Sequence, residues 1–291
     1  MRRPRVFAVL PTLLTLGNAA CGFGAITFAA KLGPEAVPGD EVQLLIAGLL
    51  IFLAMVFDAL DGSAARWSGH TSDFGAQLDS LCDGISFGVA PAFMMLKMMQ
   101  VDYYSKLFPD DPLTLPFAYP PRLLWVIAIL FVACALLRLA RFNVETEEDD
   151  SHEFFSGLPS PSAAGTVAAF PIAFRGVREL IAASETGPPP AWLVELMQFA
   201  VPAMKITLPL VTLAVACLMV SRFRYPHIVN QLFRGQRSRK HVIQVVFTFA
   251  AVFLAREIAL LIIFCWYAFA SPLRAAWMEL VVPRLYKSRK V

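Results

Sequence analysis

Residues 56–88 read VFDALDGSAARWSGHTSDFGAQLDSLCDGISFG and contain five aspartates, in the most apolar part of the chain. Besides Asp73, they are Asp58, Asp61, Asp79 and Asp83, the four that matter here because of their spacing. They form two pairs, spaced three and four residues apart, and residues with these spacings share one face of an α-helix. The stretch therefore predicts two helices that each direct two carboxylates toward a common point.

A group of carboxylates at membrane depth is energetically costly. An ionised aspartate there costs roughly 2.5–3.5 kcal/mol on insertion scales, and four neighbouring aspartates would also repel one another. Mg2+ and Mn2+ prefer carboxylate oxygen ligands, so bound divalent cations would remove both penalties. We therefore predict that the four aspartates are metal ligands.

The composition predicts a membrane protein. Hydrophobic residues make up 57% of the chain and charged residues 16%, and the mean hydropathy is +0.61, far from a soluble average. Residues 6–30 carry no charge and can cross a bilayer core of about 30 Å. We predict an all-α polytopic membrane helix bundle, with about six core transmembrane helices plus one or two C-terminal ones. The predicted helices span residues 8–30, 42–62, 74–98, 123–142, 158–175, 200–220, 241–255 and 258–271.

Residues 241–271 allow two interpretations. They form either one long tilted helix with an internal ion pair between Arg256 and Glu257, or two short helices that turn at these residues. We favour two helices, although each is short for a span of about 20 residues.

The distribution of Lys and Arg predicts the orientation in the lipid bilayer. Basic residues concentrate in segments on one side of the predicted layout, which places both termini and residues 59–73 in the cytoplasm. The first apolar stretch is too long for an ordinary signal peptide, so we expect an uncleaved helix. This pattern suits a bacterial inner membrane, and basic loops explain the net charge of +3 without a nucleic acid partner. The five cysteines lack metal-pair spacing, and disulfides are not expected.

The aspartates belong to a longer pattern of eight positions. The pattern is Asp58-x2-Asp61-Gly62-x2-Ala65-Arg66-x8-Gly75-x3-Asp79-x3-Asp83. It resembles, without departure, the signature of the CDP-alcohol phosphotransferase family. The resemblance implies an integral membrane enzyme that moves a phosphatidyl or related phosphoryl group from a CDP-linked donor to an alcohol and releases CMP. It also implies a homodimer.

The resemblance assigns roles within this signature. Two cations about 3.5–4 Å apart can hold the attacking and leaving oxygens of such a transfer, and four aspartates suit two Mg2+ or Mn2+ ions. The small residues Gly62, Ala65 and Gly75 are implied to line the CDP site. Arg66 either contacts the diphosphate or anchors the chain at the membrane surface. Asp83 is the candidate general base, with metal ligation alone as the alternative.

Four further blocks resemble phosphatidylserine synthases within this family: residues 10–26, 134–145, 154–165 and 218–226. This second resemblance implies CDP-diacylglycerol as donor and L-serine as acceptor. It also indicates a family transmembrane domain over residues 1–226, followed by a C-terminal basic loop and additional helices over residues 227–291.

Two arginines near the cytoplasmic end of an apolar helix are candidates for substrate binding. Arg138 and Arg141 are costly inside a membrane without an anionic partner. Either the lipid phosphate or the serine carboxylate suits a guanidinium, whereas snorkelling to the interface is the alternative. Asn143 is a candidate polar contact to the acceptor.

Two other features allow alternative interpretations. The acidic run at residues 145–153 is either a solvated loop or a lid over the site. Thr12, Thr15 and Asn18 share a helical face and either reach the nucleotide or form helix–helix hydrogen bonds.

Two other functions compete with serine transfer. The first is the same family with another acceptor, such as glycerol 3-phosphate, an inositol phosphate or choline. The second is a cation transporter, because acidic clusters in membrane spans also form ion pathways. The glycine, alanine and arginine spacing between the aspartates has no role in a transporter. A structural scaffold would leave the buried charges unexplained.

Overall fold

A computed structural model describes residues 6–32, 40–68, 73–100, 119–148, 154–182, 191–226, 258–274 and 277. In these parts the chain forms helices and one short pair of antiparallel strands. The helices are α1 Val6–Ala30, α2 Asp40–Ser68, α3 Asp73–Asp83, α4 Ala90–Gln100, α5 Pro121–Glu148, α6 Ser160–Ala182, α7 Ala191–Val220 and α8 Ile258–Arg274. The strands are β1 Phe154–Ser156 and β2 Arg224–Pro226. A π-helical segment, Gly84–Val89, joins α3 to α4 without a break.

The described residues include five helices that are long and apolar enough to cross a membrane. They are Leu10–Ala30, Val42–Ala64, Phe74–Gln100, Pro121–Val144 and Pro202–Val220. These helices confirm the predicted all-α polytopic membrane bundle. The predicted helix at 241–255 lies outside the described residues, as does the connection that would decide between one and two helices over 241–271.

Helix α6 forms where a helix is predicted but is not among these five spans. Residues 163–174 are all buried, so this part of α6 contacts protein on all sides. Small residues such as Ala163, Ala164 and Ala168, each fully buried, let neighbouring helices approach closely. The helix is therefore a central packing element of the bundle.

Helix α7 begins at Ala191 rather than near residue 200 as predicted. It follows directly after three consecutive prolines at 188–190, which are compatible with a helix start but not with a helix interior. Pro202 and Pro209 lie inside the helix, where neighbouring groups in a membrane bundle can compensate for the lost backbone bond.

The π-helical segment packs tightly against two other helices. A Cβ atom at Gly22 of α1 would lie 2.7 Å from the Ser86 Cα, and one at Gly84 would lie 3.2 Å from Leu136 Cδ2 of α5. The Ser86 hydroxyl donates a hydrogen bond of 2.9 Å to the Asn18 backbone carbonyl. Only small residues permit this approach, which fixes the end of α3 against α1. Single-turn π segments occur frequently at functional sites.

The two strands pair with each other next to the C-terminal end of α7. Gly157, with a φ of 83°, donates its N–H to the Phe223 carbonyl at 2.8 Å, and a side chain there would collide with the Met219 carbonyl. The Tyr225 hydroxyl donates to the Ala268 carbonyl of α8 at 2.9 Å. Burial raises the pKa of the Tyr225 phenol, so this donor keeps its proton.

Helix α8 also contacts α2 and α6. The Phe264 ring meets the Phe52 ring edge-on at a centroid distance of 5.3 Å, and the Phe264 carbonyl lies 3.5 Å from the Thr166 hydroxyl. The described part of the segment 227–291 thus packs directly on the helices of 1–226. The division into these two segments stays a prediction.

Candidate active site

Three of the predicted aspartates form a compact carboxylate cluster. Asp58 and Asp61 on α2 and Asp79 on α3 each place a carboxylate oxygen within 4.8 Å of the other two. Asp61 is buried, with 5% of its surface exposed, and the other two are half-buried. Asp58 and Asp61 lie together because they are three residues apart on one face of α2. Asp79 joins them because the tertiary structure brings its carboxylate on α3 to the same place.

The cluster has unmet hydrogen-bonding capacity. Asp61 Oδ2 and Asp79 Oδ1 are buried and receive no hydrogen bond from the described residues. A buried carboxylate oxygen without a partner is costly, and hard divalent cations coordinate such oxygens. The donor set therefore fits a divalent metal ion, held by Asp58, Asp61 and Asp79.

Asp83 lies one turn beyond Asp79 and has a different environment. It is 7% exposed, and its Oδ1 accepts a hydrogen bond of 2.8 Å from Asn18 Nδ2. Its charge interacts with those of Asp58 and Asp79, but it is not part of the three-residue cluster found among the described residues. Asp83 thus lies next to the cluster along α3, and an amide from α1 holds its carboxylate.

The polar residues of α1 approach the aspartates from one side. Asn18 is fully buried, and its amide connects α1 to α3, which is one of the two roles considered for it. The Thr15 hydroxyl donates to the Pro11 carbonyl at 3.0 Å, and the same side chain lies beside Asp61. Thr12 is half-buried.

The small residues of the signature lie along α2 and α3. A Cβ atom at Gly62 would meet nothing within 4 Å, so there is open space immediately after Asp61. Ala65 and Arg66 belong to the same helix, α2, and Gly75 lies in the first turn of α3. The side chains of Ala65 and Arg66 lie outside the described parts of the chain.

Arg138 of α5 lies beside the aspartates. Its Nη1 donates to the Ser160 hydroxyl of α6 at 3.1 Å, and its guanidinium carbon lies 5.6 Å from the centroid of the Phe142 ring. Its charge interacts with those of Asp83 and Asp58. Arginine also provides five N–H donors, so this side chain can bind an anion next to the carboxylates.

The other two acceptor candidates lie further along α5. Arg141 is half-buried, about one turn beyond Arg138. Asn143 pairs with Ser80 of α3: its Nδ2 lies 2.9 Å from the Ser80 hydroxyl, and its Oδ1 lies 3.2 Å from it. Asn143 therefore ties α5 to the helix that carries Asp79. A contact between Asn143 and the acceptor stays a prediction.

The acidic run is divided by the end of α5. This helix continues to Glu148 rather than ending near residue 142 as predicted, so the first part of the run is helical. Residues 149–153 lie outside the described residues, so the choice between a solvated loop and a lid over residues 145–153 is not tested.

Comparison with known proteins identifies the family. The family model for CDP-alcohol phosphatidyltransferase matches residues 8–187, more than half of the chain. The chain belongs to the CDP-alcohol phosphatidyltransferase family. The match includes all four aspartates, both candidate arginines and Asn143.

Several curated relatives resemble this family member. The CDP-diacylglycerol–serine O-phosphatidyltransferase of Mycobacterium tuberculosis (strain ATCC 25618 / H37Rv) is 33% identical over 167 residues, which is 56% of this chain and 49% of the relative. The archaetidylserine synthase of Methanothermobacter thermautotrophicus is 37% identical over 166 residues, 56% of this chain and 58% of the relative. The serine O-phosphatidyltransferase of Helicobacter pylori (strain ATCC 700392 / 26695) is 31% identical over 156 residues, 54% of each chain. The chain spans about half the length of these relatives.

Sequence reasoning did not identify the serines at this family site. Ser80 and Ser160 contact Asn143 and Arg138, but a single serine carries no spacing signal. The only available signal was position, because Ser80 follows Asp79 and Ser160 lies in one of the family-like blocks.

Proposed function

We propose that this protein transfers the phosphatidyl group of CDP-diacylglycerol to the hydroxyl of L-serine, giving phosphatidylserine and CMP. The observation that carries the proposal is the carboxylate cluster of Asp58, Asp61 and Asp79, with the buried Asp83 one turn beyond Asp79. Family membership supports the reaction class. The printed names of the mycobacterial and Helicobacter relatives support serine as acceptor.

The aspartate cluster would hold Mg2+ or Mn2+, with two ions as the expected number. When bound, such ions would neutralise negative charge on the donor diphosphate. Asp58, Asp61 and Asp79 are the ligands supported by the geometry. The open space beside Gly62 leaves room for the nucleotide next to this cluster.

Asp83 would act as the general base of the transfer. The serine oxygen attacks the phosphorus that carries diacylglycerol, and the bond from that phosphorus to the oxygen of the CMP phosphate breaks. The serine hydroxyl proton moves to the Asp83 carboxylate, which the Asn18 amide orients. A carboxylate held within reach of the hydroxyl can contribute such general base catalysis.

Arg138 would bind an anionic group of one of the substrates. It lies beside Asp83, so a group bound to its guanidinium would be close to the base. Both the serine carboxylate and the lipid phosphate match a planar guanidinium. A cation transporter is disfavoured by the same contact, because a fixed positive charge beside the acidic cluster would oppose the passage of cations.

The site would open to the cytoplasm, with both termini on that side of a bacterial inner membrane. The excess of Lys and Arg in the predicted cytoplasmic loops supports this orientation. The resemblance also predicts a homodimer, which mass measurement in detergent, corrected for bound detergent, would test.

A CMP-release assay tests the proposed function. Purified protein is mixed with CDP-diacylglycerol in detergent micelles and with L-serine, glycerol 3-phosphate, inositol phosphate or choline in turn. We expect CMP only with serine and only with Mg2+ or Mn2+, and an Asp79→Asn variant serves as the inactive control. CMP formed only with another acceptor would replace serine, and no CMP with any acceptor would refute the enzyme class.

A further inference from the structure

Two asparagine amides hold α3 from different helices. At its last residue, Asp83 accepts a hydrogen bond of 2.8 Å from Asn18 of α1. Three residues earlier, Ser80 pairs with Asn143 of α5. The Asn143 Nδ2 donates to the Ser80 hydroxyl at 2.9 Å, and the same hydroxyl donates to the Asn143 Oδ1 at 3.2 Å. A hydroxyl can accept and donate at once, so this pair joins the two helices through two hydrogen bonds.

Helix α5 runs beside α3 in the opposite direction. A Cβ atom at Gly84, just after α3, would lie 3.2 Å from Leu136 Cδ2 of α5, whereas Ser80 meets Asn143. Residue numbers thus rise along α3 as they fall along α5. The Ser80–Asn143 pair lies at the end of this approach that is nearer to Asp79. It therefore sets the position of α3 against α5 at the turn that carries this metal ligand.

The position of the Asp79 carboxylate depends on where α3 lies. One of its oxygens lies within 4.8 Å of oxygens from Asp58 and Asp61 of α2, and its Oδ1 is buried without a hydrogen bond from the described residues. Phe74 and Leu81 of α3 are 73% and 69% exposed, so these two large side chains do not anchor the helix in the bundle. A small rotation of α3 about its axis would move Asp79 away from the other two ligands.

We propose that Ser80 and Asn143 are positioning residues that hold Asp79 in place for a divalent metal ion shared with α2. The inference rests on the metal site of the proposed function. Ser80 and Asn143 act through the placement of α3 and not on the reacting atoms. Groups that orient metal ligands contribute to metal affinity, so this role differs measurably from a contact between Asn143 and the acceptor.

The test is a Mn2+ titration of the purified protein in detergent, in which the electron paramagnetic resonance signal reports free Mn2+. We expect Ser80→Ala and Asn143→Ala each to raise the Kd for Mn2+ roughly three- to tenfold. Ser80→Thr keeps the hydroxyl and should restore the Kd to near the wild-type value. Thr27→Val is the matched control, because it removes a hydroxyl bond of 2.9 Å to the Phe23 carbonyl within α1. Its Kd should equal that of the wild type.

A double variant and a serine titration complete the test. Because Ser80 and Asn143 act as one pair, the double alanine variant should bind Mn2+ no more weakly than the weaker single variant. At saturating Mn2+, Asn143→Ala should keep the wild-type KM for serine. An unchanged Kd in the alanine variants or additive effects would overturn the inference, and a raised serine KM with an unchanged Kd would assign Asn143 to the acceptor instead. The proposed function fails separately, when the wild-type protein binds no Mn2+ or releases no CMP.

Discussion

Replacing Asn18 should lower the catalytic rate without unfolding the protein. Asn18 is fully buried, and its Nδ2 donates to Asp83 Oδ1 at 2.8 Å. Asn18→Leu keeps a similar volume but removes this donor. The backbone contact from the Ser86 hydroxyl to the carbonyl of residue 18 does not involve the side chain, so α1 should stay in place.

The magnitude follows from the kind of bond that is lost. A hydrogen bond to a charged group contributes about 1.5–3 kcal/mol, and each 1.4 kcal/mol corresponds to a factor of about ten in rate. We therefore expect the kcat for CMP release to fall about ten- to a hundredfold, if Asp83 acts as the base. Asn18→Asp should cause a larger loss, because it places another carboxylate against Asp83.

The assay is CMP release at saturating serine and CDP-diacylglycerol, together with a thermal midpoint in the same detergent. Thr212→Val is the matched control, since it removes a buried bond of 2.8 Å from the Thr212 hydroxyl to the Leu208 carbonyl. This bond lies within α7 and touches none of the aspartates. A kcat of Asn18→Leu within twofold of wild type, or a loss equal to that of Thr212→Val, would refute the role of the Asn18–Asp83 contact.

Four further predictions concern the metal, the topology, Arg138 and Gly157. Excess EDTA should abolish CMP release and added Mg2+ or Mn2+ should restore it, whereas full turnover in EDTA would exclude the metal site. Ser68→Cys and Ser72→Cys, each in a cysteine-free background, should react with an impermeant thiol reagent only in inverted vesicles; labelling in intact cells would overturn the cytoplasmic site. Arg138→Lys should raise one KM about ten- to a hundredfold, because a lost charge-assisted contact is worth about 1.5–3 kcal/mol, and two unchanged KM values would remove Arg138 from the site. Gly157→Ala should lower the unfolding free energy by about 1–3 kcal/mol, because the φ of 83° is strained for other residues; an unchanged thermal midpoint would contradict this.

Local sequence patterns account for the helices and for the two aspartate pairs. Helical periodicity and long apolar runs are local properties, so the existence of the described helices was predictable. The boundaries differ more, since α7 begins at Ala191 instead of 200, α6 ends at Ala182 instead of 175, and the single helix predicted over 74–98 contains a π-helical segment. The pairing of Asp58 with Asp61 on one helix face follows from their spacing alone. The end of α5 and the start of α7 were less predictable, because polar or proline-containing sequence can continue a helix where no strong stop signal intervenes.

The residues that surround these aspartates come from distant parts of the chain and meet only through helix packing. Asn18 and Asp83 are 65 positions apart, and Arg138 contacts Ser160 across two helices. Such pairs depend on how closely the helices approach, which small residues such as Gly22 and Gly84 permit. The packing of α8 was not foreseeable either, since nothing in the sequence links the Tyr225 hydroxyl to the carbonyl of Ala268. The spacing of residues along one helix is a property of the local sequence. The groups that surround a buried charge come from several helices and are fixed only when those helices pack together.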